Sequence, residues 1–237
     1  SPINRTSIFS FRWPNAGRPN VLFTKVFEAD GTTIAANQHL VKPGQIARFE
    51  FSITAPWTLK PGKYREHFQP VLEGAAGWNI KGVAWFDITI KPRYAAQFHS
   101  QSSYPTLDKG QKKTVFISYK NTGADWWYDD TSRPSPATTP VRLAATTPIN
   151  RKSGFSFDWS SPGRPTYNFS KVYESNGKTL AANQHVVKPG QIAKFEFNVT
   201  SPWTIDKGKY REHFQPVAEG ATNWSLGGLA WLDVSIR

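Results

Sequence analysis

Alternation of apolar and polar residues is the dominant pattern along this chain. In residues 45–54 every second side chain is apolar and the positions between are polar, and residues 191–200 repeat the arrangement. A period of two places alternate side chains on opposite faces, which predicts a half-buried β-strand in each stretch. The predicted inward positions are Ala47, Phe49, Phe51 and Ile53, then Ala193, Phe195, Phe197 and Val199.

Further strands are predicted at 64–71, 83–90, 111–121 and 210–217. In 83–90 the apolar face holds Ala84, Phe86, Ile88 and Ile90, so that Trp85 and Asp87 point outward. Gly and Pro pairs such as Pro43-Gly44 and Gly227-Gly228 punctuate the strands at short intervals. No stretch sustains helical periodicity. These features predict an all-β fold, either an antiparallel sandwich or a barrel.

An internal repeat organises the chain. Residues 1–91 align without a gap to residues 147–237 at a constant offset of 146, and more than half of the positions are identical. Residues 92–146, which we call the opening segment, occur only once. We therefore expect 92–237 to be a complete repeat and 1–91 to be the C-terminal part of another, with its opening strands missing.

A truncated repeat leaves faces exposed that the opening segment should cover. Two explanations are open: the chain is a window cut from a longer tandem array, or another molecule supplies the missing strands. The first is favoured because the chain holds one opening segment for two repeats. A two-domain protein with a small first domain is the simpler alternative, but the gapless match disfavours it.

The complete repeat contains a series of short motifs in a fixed order: 120–123 (Lys-Asn-Thr-Gly), Trp126-Trp127, 188–190 (Lys-Pro-Gly), Phe195, Pro202, 208–210 (Gly-Lys-Tyr), His213-Phe214, Gly220 and Trp231. This order resembles that of a known family, the immunoglobulin-like "four-tryptophan" (FW-type) domain of autophagy cargo receptors and bacterial surface and cell-wall proteins. Ile117 and Phe214 stand where the family has its first and third tryptophans. The resemblance implies tandem immunoglobulin-like antiparallel β-sandwich domains that bind or build and do not catalyse.

Composition narrows the chemistry. The net charge is +12 with a pI near 9.9, but Lys and Arg are spread along the chain, so a nucleic-acid partner is not expected. There is no Cys, and no apolar run is long enough for a membrane span in this segment. The lack of Met leads us to expect the natural N-terminus elsewhere.

No catalytic signature stands out. The sequence has neither a nucleophile elbow nor a phosphate-binding Gly-rich loop, and its five His residues favour structural roles. Asp125, Asp129 and Asp130 form the densest acidic group, which is read as a plain exposed turn in preference to a calcium loop. We therefore expect no enzyme activity, no cofactor and no metal site.

Aromatic residues are the more informative excess, because ten Trp are more than one core needs. Exposed Trp rings anchor protein contacts or stack on sugars, and the competing interpretation is that they cap the ends of the sandwich. The interface or ligand candidates are Trp85, Trp231, Trp57, Trp203, Trp78, Trp224, Trp126 and Trp127. Glycosylation candidates, each starting an Asn-x-Ser/Thr sequon, are Asn4, Asn168, Asn198 and Asn223.

The function expected from the sequence is structural: a secreted, non-enzymatic tandem repeat protein at the cell surface. Its partners would be neighbouring repeats or further copies, joined by strand or edge contacts into a stalk, sheath or extracellular filament. The alternative is a module that binds cell-wall glycans through exposed aromatics and a basic surface.

Overall fold

The computed structural model describes residues 6–15, 17–56, 58–74, 80–148, 151–220 and 225–237. It divides into two compact units, Ser1–Ile90 and Lys91–Arg237, which we treat separately. All regular structure in the described residues is strand, which confirms the all-β prediction. None of these residues lies in a long apolar helix, so no candidate helical membrane span is found in this part of the chain.

The first unit holds two separate two-stranded antiparallel ladders. Its strands are β1 (Lys25–Phe27), β2 (Ile46–Arg48), β3 (Gly62–Phe68) and β4 (Ala84–Ile90). β1 pairs with β2, and β3 pairs with β4. Phe9, Val26 and Ala35 are buried between the segments, and an edge-to-face cluster of Trp13, Phe51, Phe68 and Phe86 lies beside them.

The second unit contains two four-stranded sheets and a short ladder. Its strands are β5 (Ala96–Gln101), β6 (Thr106–Leu107), β7 (Lys112–Asn121), β8 (Trp127–Tyr128), β9 (Val141–Thr146), β10 (Lys171–Tyr173), β11 (Val186–Val187), β12 (Ile192–Thr200), β13 (Gly208–Ala218) and β14 (Ala230–Ile236). The sheet orders are β10-β12-β7-β5 and β6-β14-β13-β9, and β11 pairs with β8. All pairings between these strands are antiparallel except that of β14 with β6.

One core lies between the two sheets of the second unit, which is the arrangement of a β-sandwich. Inward residues of β7 and β12, among them Ile117 and Phe195, join inward residues of β13 and β14, among them Phe214 and Leu232. β12 alternates buried and less buried positions as the period of two predicts. The predicted strand at 111–121 is confirmed as β7.

The first unit departs from the strand predictions. Residues 45–54 were expected to form one strand, but β2 ends at Arg48, and β3 ends at Phe68 although 64–71 was predicted. In the second unit β12 continues to Thr200 because β7 pairs with its whole length, and β13 continues to Ala218 because β9 pairs with its end. The first unit keeps the parts of these strands whose partners are still present.

Candidate strand-addition site

The strongest candidate site is a set of apolar side chains of the first unit that are exposed although their counterparts form core. Phe49 is 39% exposed and Phe195 0%, while Phe86 is 50% exposed and its counterpart Leu232 0%. Leu40, Ile46 and Leu72 are also exposed, whereas Val186, Ile192 and Ala218 are buried. We call Leu40, Ile46, Phe49, Leu72 and Phe86 the acceptor surface.

The opening segment is what covers the equivalent residues in the second unit. β7 pairs with β12 in a continuous register from Ile192 opposite Lys120 to Thr200 opposite Lys112. β9 pairs with the end of β13, and β6 lies along the end of β14. In the described part of the first unit, β2 and β3 each have a partner on one side only.

An unpaired strand edge presents backbone donors and acceptors that another strand can satisfy. Side chains hold residues 49–54 on their other side: Thr24 Oγ1 accepts a hydrogen bond from Glu50 N (2.8 Å), and Trp13 Nε1 donates to Ser52 O (2.8 Å). Ser170 and Trp159 make the same two contacts in the second unit, where β7 is also present. These contacts hold the segment in place. The edge that faces β7 in the second unit has no described strand beside it in the first.

Polar anchors fix the opening segment in the second unit. Tyr119 Oη donates to Phe214 O (3.0 Å), and Asn121 Nδ2 donates to Val187 O (3.0 Å). Burial raises the pKa of Tyr119, so that its hydroxyl stays a donor across the physiological range. The two acceptors have counterparts in the first unit, the carbonyl groups of Phe68 and Val41.

A third anchor was missed by sequence reasoning. The side chain of Asp129 is fully buried and its Oδ2 lies 2.8 Å from His185 Nδ1. The Asp130 carboxylate accepts hydrogen bonds from Arg142 Nε (2.7 Å) and Arg142 Nη2 (2.9 Å). The expected exposed turn is therefore wrong for Asp129 and Asp130, since one carboxylate is buried and both are engaged. The sequence did offer one hint of this anchor, because His39 and His185 occupy the same position in the two repeats.

Arginine and carboxylate pairs extend this network. Arg164 Nε lies 2.5 Å from Glu219 Oε1, and Arg142 Nη1 approaches the same oxygen at 3.8 Å from the opening segment. The counterpart pair in the first unit is Arg18 with Glu73 at 2.6 Å, where the Glu73 side chain is 61% exposed. The first unit thus keeps the pair within its own sequence and lacks the arginine from the opening segment.

The outer face of the last hairpin carries the same side chains in both units. Trp85 and Trp231 are both exposed on this face, as predicted from the alternation. The guanidinium groups of Arg65 and Arg211 lie 5.5 and 5.3 Å from the respective ring centroids. Both tryptophans therefore belong to a surface on which an arginine is already placed against the ring.

Each of these arginines is also forked on a cross-strand aspartate. Arg65 contacts Asp87 at 2.6 and 2.9 Å, and Arg211 contacts Asp233 at 2.7 and 2.9 Å. The hydrogen bonds from the arginines lower the pKa of both aspartates below its ordinary value. The face is fixed in its charged form at neutral pH.

The other tryptophan candidates fall in different places. Trp203 is 78% exposed and its ring lies directly over Gly110, where a Cβ atom would clash with the indole. Trp126 is exposed, with Lys188 Nζ 5.0 Å from its ring centroid. Trp127 is a correction: it is fully buried in the core of the second unit and is not available to a surface ligand. Its neighbour in sequence points the opposite way, so only one of the two rings is outside.

Some candidates lie outside the described residues, namely Trp57, Trp78, Trp224, Asn4 and Asn223. Asn168 is exposed, and Asn198 is half-buried with its Oδ1 accepting a hydrogen bond from Thr114 Oγ1 (2.9 Å). Among the residues that the structure describes, no group of three or more His, Asp or Glu could hold a metal ion.

Comparison with known proteins gives weak structural similarity. No protein-family model matches the chain, so the FW-type resemblance has no family match behind it, and no curated protein matches either. The CARDB domain of PF1109 from Pyrococcus furiosus, solved with di-metal ions, is 15% identical with a TM-score of 0.30 over 63% of this chain and 93% of that one.

Two other solved structures cover more of the chain at lower similarity. A protein assigned a membrane anchor, from Corynebacterium diphtheriae, is 12% identical with a TM-score of 0.25, over 90% of this chain and 51% of that one. Domains 4 and 5 of the S-layer protein SbsC are 11% identical with a TM-score of 0.19, over 90% and 94%. These two are described as a membrane-anchored and an S-layer protein, but scores this low assign no function to this chain, and the fold rests on the strand pairing above.

Proposed function

We propose that this chain is a structural, non-enzymatic repeat protein of the cell surface, whose units join by strand addition. Residues 1–91 act as the closing part of an immunoglobulin-like repeat, and residues 92–237 form a complete one. Repetition of one unit allows one contact to be reused along an array, which suits a stalk, sheath or filament.

The burial contrast carries this proposal. Phe49 and Phe195 are the same residue at the same repeat position, and only Phe195 is covered. Covering a Phe side chain contributes about 1.5–3 kcal/mol, and the acceptor surface offers five apolar side chains. Exposed apolar side chains beside an unpaired strand edge favour association with another β-strand.

The exposed sequon residue Asn168 supports a surface role. Buried carboxylates such as Asp129 and Glu212 are engaged by His185 and Arg151. The described ionisable groups are used for holding strands together, which is consistent with a building role.

Electron microscopy and intact mass of native material test the proposal. We expect fibres, sheaths or stalks on cells, and a mass that holds several 146-residue repeats. Dispersed monomers at high concentration, with no surface assemblies, would contradict it.

A specific observation favours glycan binding as a second candidate function. The outward residues Lys209, Arg211, His213, Trp231 and Asp233 are all identical to Lys63, Arg65, His67, Trp85 and Asp87. On the inward face of the same hairpin, Phe86 is replaced by Leu232. Five of the six outward positions of the hairpin are thus identical, the exception being Thr89 and Ser235, and a repeated surface of Trp, Arg and Lys suggests a shared ligand.

A Trp ring beside Arg and Lys suits an acidic sugar, because the ring stacks on the sugar face and the cations attract its carboxylate. Pull-down on a polyuronate tests this, with a neutral glucan as the control. We expect saturable binding that is lost in the double variant Trp85→Ala and Trp231→Ala. Equal retention of the double variant would leave these residues with a role in hairpin stability alone.

A further inference from the structure

We infer that the partner of the acceptor surface is an additional opening segment, a polypeptide with the pattern of residues 92–146, docked in the register seen in the second unit. The inference rests on the proposed function and deepens it by naming what completes the first unit. It follows from four features: the strand register, the polar anchors, the number of segments and one reversed charge.

The register is set by the gapless repeat. Because Phe195 lies opposite Ile117 and Asn198 opposite Thr114, the donor strand should place its Ile117 equivalent opposite Phe49 and its Thr114 equivalent opposite Ser52. A slip of one residue would turn every apolar side chain of the donor to the solvent face. Covering Phe49 on docking therefore excludes a register shifted by one residue.

The anchors have their receiving groups in place. The carbonyl groups of Phe68 and Val41 correspond to those that accept Tyr119 and Asn121 in the second unit. His39 corresponds to His185, which meets the buried Asp129. These groups lie at the same repeat positions and are kept in the first unit.

The donor must be additional because the segment in this chain is already used. Tyr119, Ile117 and Leu143 are fully buried in the core of the second unit. Moving residues 92–146 of a second copy onto the first unit would uncover Phe195 and Phe214 there. If two copies exchanged their opening segments, each chain would still have one repeat without an opening segment. An opening segment from a further repeat of the same kind leaves no repeat uncovered.

One repeat position, Arg12 in the first unit and Asp158 in the second, favours a different donor strand in each unit. Lys112 Nζ lies 3.4 Å from Asp158 Oδ2, and the residue equivalent to Asp158 in the first unit is Arg12. A lysine at the donor position would meet a like charge there. The segment that completes the first unit should therefore carry an acidic or neutral residue at that position, which lets neighbouring repeats distinguish their donors.

The absence of Cys from the chain permits a direct test by disulfide trapping. The full chain carrying Ser52→Cys is mixed with a peptide of residues 92–146 carrying Thr114→Cys. We expect cross-linking at least tenfold faster than with a peptide carrying Phe116→Cys, since diagonal positions on paired strands are too far apart for a strain-free disulfide.

The matched control uses the second unit. The full chain carrying Asn198→Cys should resist the same peptide because its own Thr114 occupies that place. Equal reaction of both chains, or reaction of neither, overturns the inference. A covalent dimer of the double variant Ser52→Cys and Thr114→Cys, formed without peptide, would overturn it in favour of exchange between copies.

A fused chain guards against a peptide that aggregates. A second copy of residues 92–146 is placed directly before Ser1, and hydrogen exchange is measured in residues 49–54. We expect exchange there to slow to the level of residues 195–200. The control fusion carries Val115→Asp and Ile117→Asp in the added segment only. Equal protection of residues 49–54 by both fusions contradicts the inference.

A further pair of fusions tests the charge. Lys112→Glu in the added segment should strengthen docking up to about fivefold relative to the Lys112 form, the range expected for an exposed ion pair. No difference overturns donor discrimination at Arg12. Protection in the fused chain, with no assemblies on cells, leaves the donor assignment standing and rejects only the assembly function.

Discussion

The first unit and residues 147–237 of the second are two folded versions of nearly one sequence. In one, Phe195, Phe197 and Val199 form the core side of a nine-residue strand. In the other, the same pattern yields a three-residue strand followed by irregular chain. What differs is the presence of β7.

The comparison shows that strand formation here belongs to the pairing and not to the local sequence. β4 and β14 are equally long because each has its hairpin partner, whereas β2 and β3 are shorter than β12 and β13. β-propensity reflects fit to a pleated, partly buried surface, so it needs neighbours to take effect. The difference between the units can be measured in four ways.

The largest difference should appear in hydrogen exchange. Amides of residues 195–200 are paired on the β7 side and covered, so they exchange only through large-scale opening, while those of 49–54 exchange locally. We expect roughly 1000-fold slower exchange in the second unit. Exchange mass spectrometry of the full chain measures both segments in one sample, and similar rates would remove the contrast between the units.

The second largest difference between the units should be the loss of unfolding free energy when the equivalent phenylalanines are truncated. Phe195→Ala opens a cavity in a closed core and should cost about 3–5 kcal/mol of unfolding free energy. Phe49→Ala removes a side chain that is already 39% exposed, and about 1 kcal/mol or less is expected. Urea unfolding, followed by exchange in unit-specific peptides, checks both. A cost above 3 kcal/mol for Phe49→Ala would show that the first unit is already closed.

Neutralising the equivalent carboxylates Glu219 and Glu73 should give a smaller difference in unfolding free energy. Glu219→Gln weakens contacts with Arg164 and Arg142 in a half-buried site, and a loss of about 1–3 kcal/mol is expected. Glu73→Gln affects one pair with an exposed carboxylate, for which about 0.5 kcal/mol or less is expected. The same unfolding measurement applies, and a reversed order would contradict the burial argument.

The smallest difference between the units should appear in how their stability responds to acid. Hydrogen bonds from the Thr33 side chain, then from the backbone N–H groups of Thr32 and Thr33, lower the pKa of Asp30 from 3.8 to about 2. A lowered pKa in the folded state contributes stability that is complete above pH 3.8 and is lost as pH falls through about 2. The second unit has Asn176 at this position, making the same turn contacts without a charge.

NMR of the Thr32 and Thr33 amides between pH 5 and pH 1.5 measures this titration. We expect a midpoint near pH 2 that disappears in Asp30→Asn. The equivalent amides of Lys178 and Thr179 serve as the internal control and should not follow it. A midpoint near 3.8 would show that these hydrogen bonds do not favour the charged form.

Period two and the internal repeat were sufficient to predict the fold class, the inward residues of β12 and the outward placement of Trp85 and Trp231. They could not predict where β2 ends, because its end is set by a strand distant in sequence. Burial of Trp127 was missed because short strands beside turns give too little alternation to distinguish the two rings. The contact of Asp129 with His185 joins residues 56 positions apart, which only the folded sandwich brings together.

The parallel pairing of β6 with β14 has a mechanical consequence. The backbone N–H of Ser235 donates to Pro105 and that of Arg237 to Leu107, so hydrogen bonds join the opening segment to the end of the repeat. When such a unit is stretched from its two ends, these bonds lie across the pulling direction and must shear together, whereas an antiparallel edge would unzip one bond at a time. A repeat with this junction would therefore hold tension far better than one whose last strand has no such neighbour.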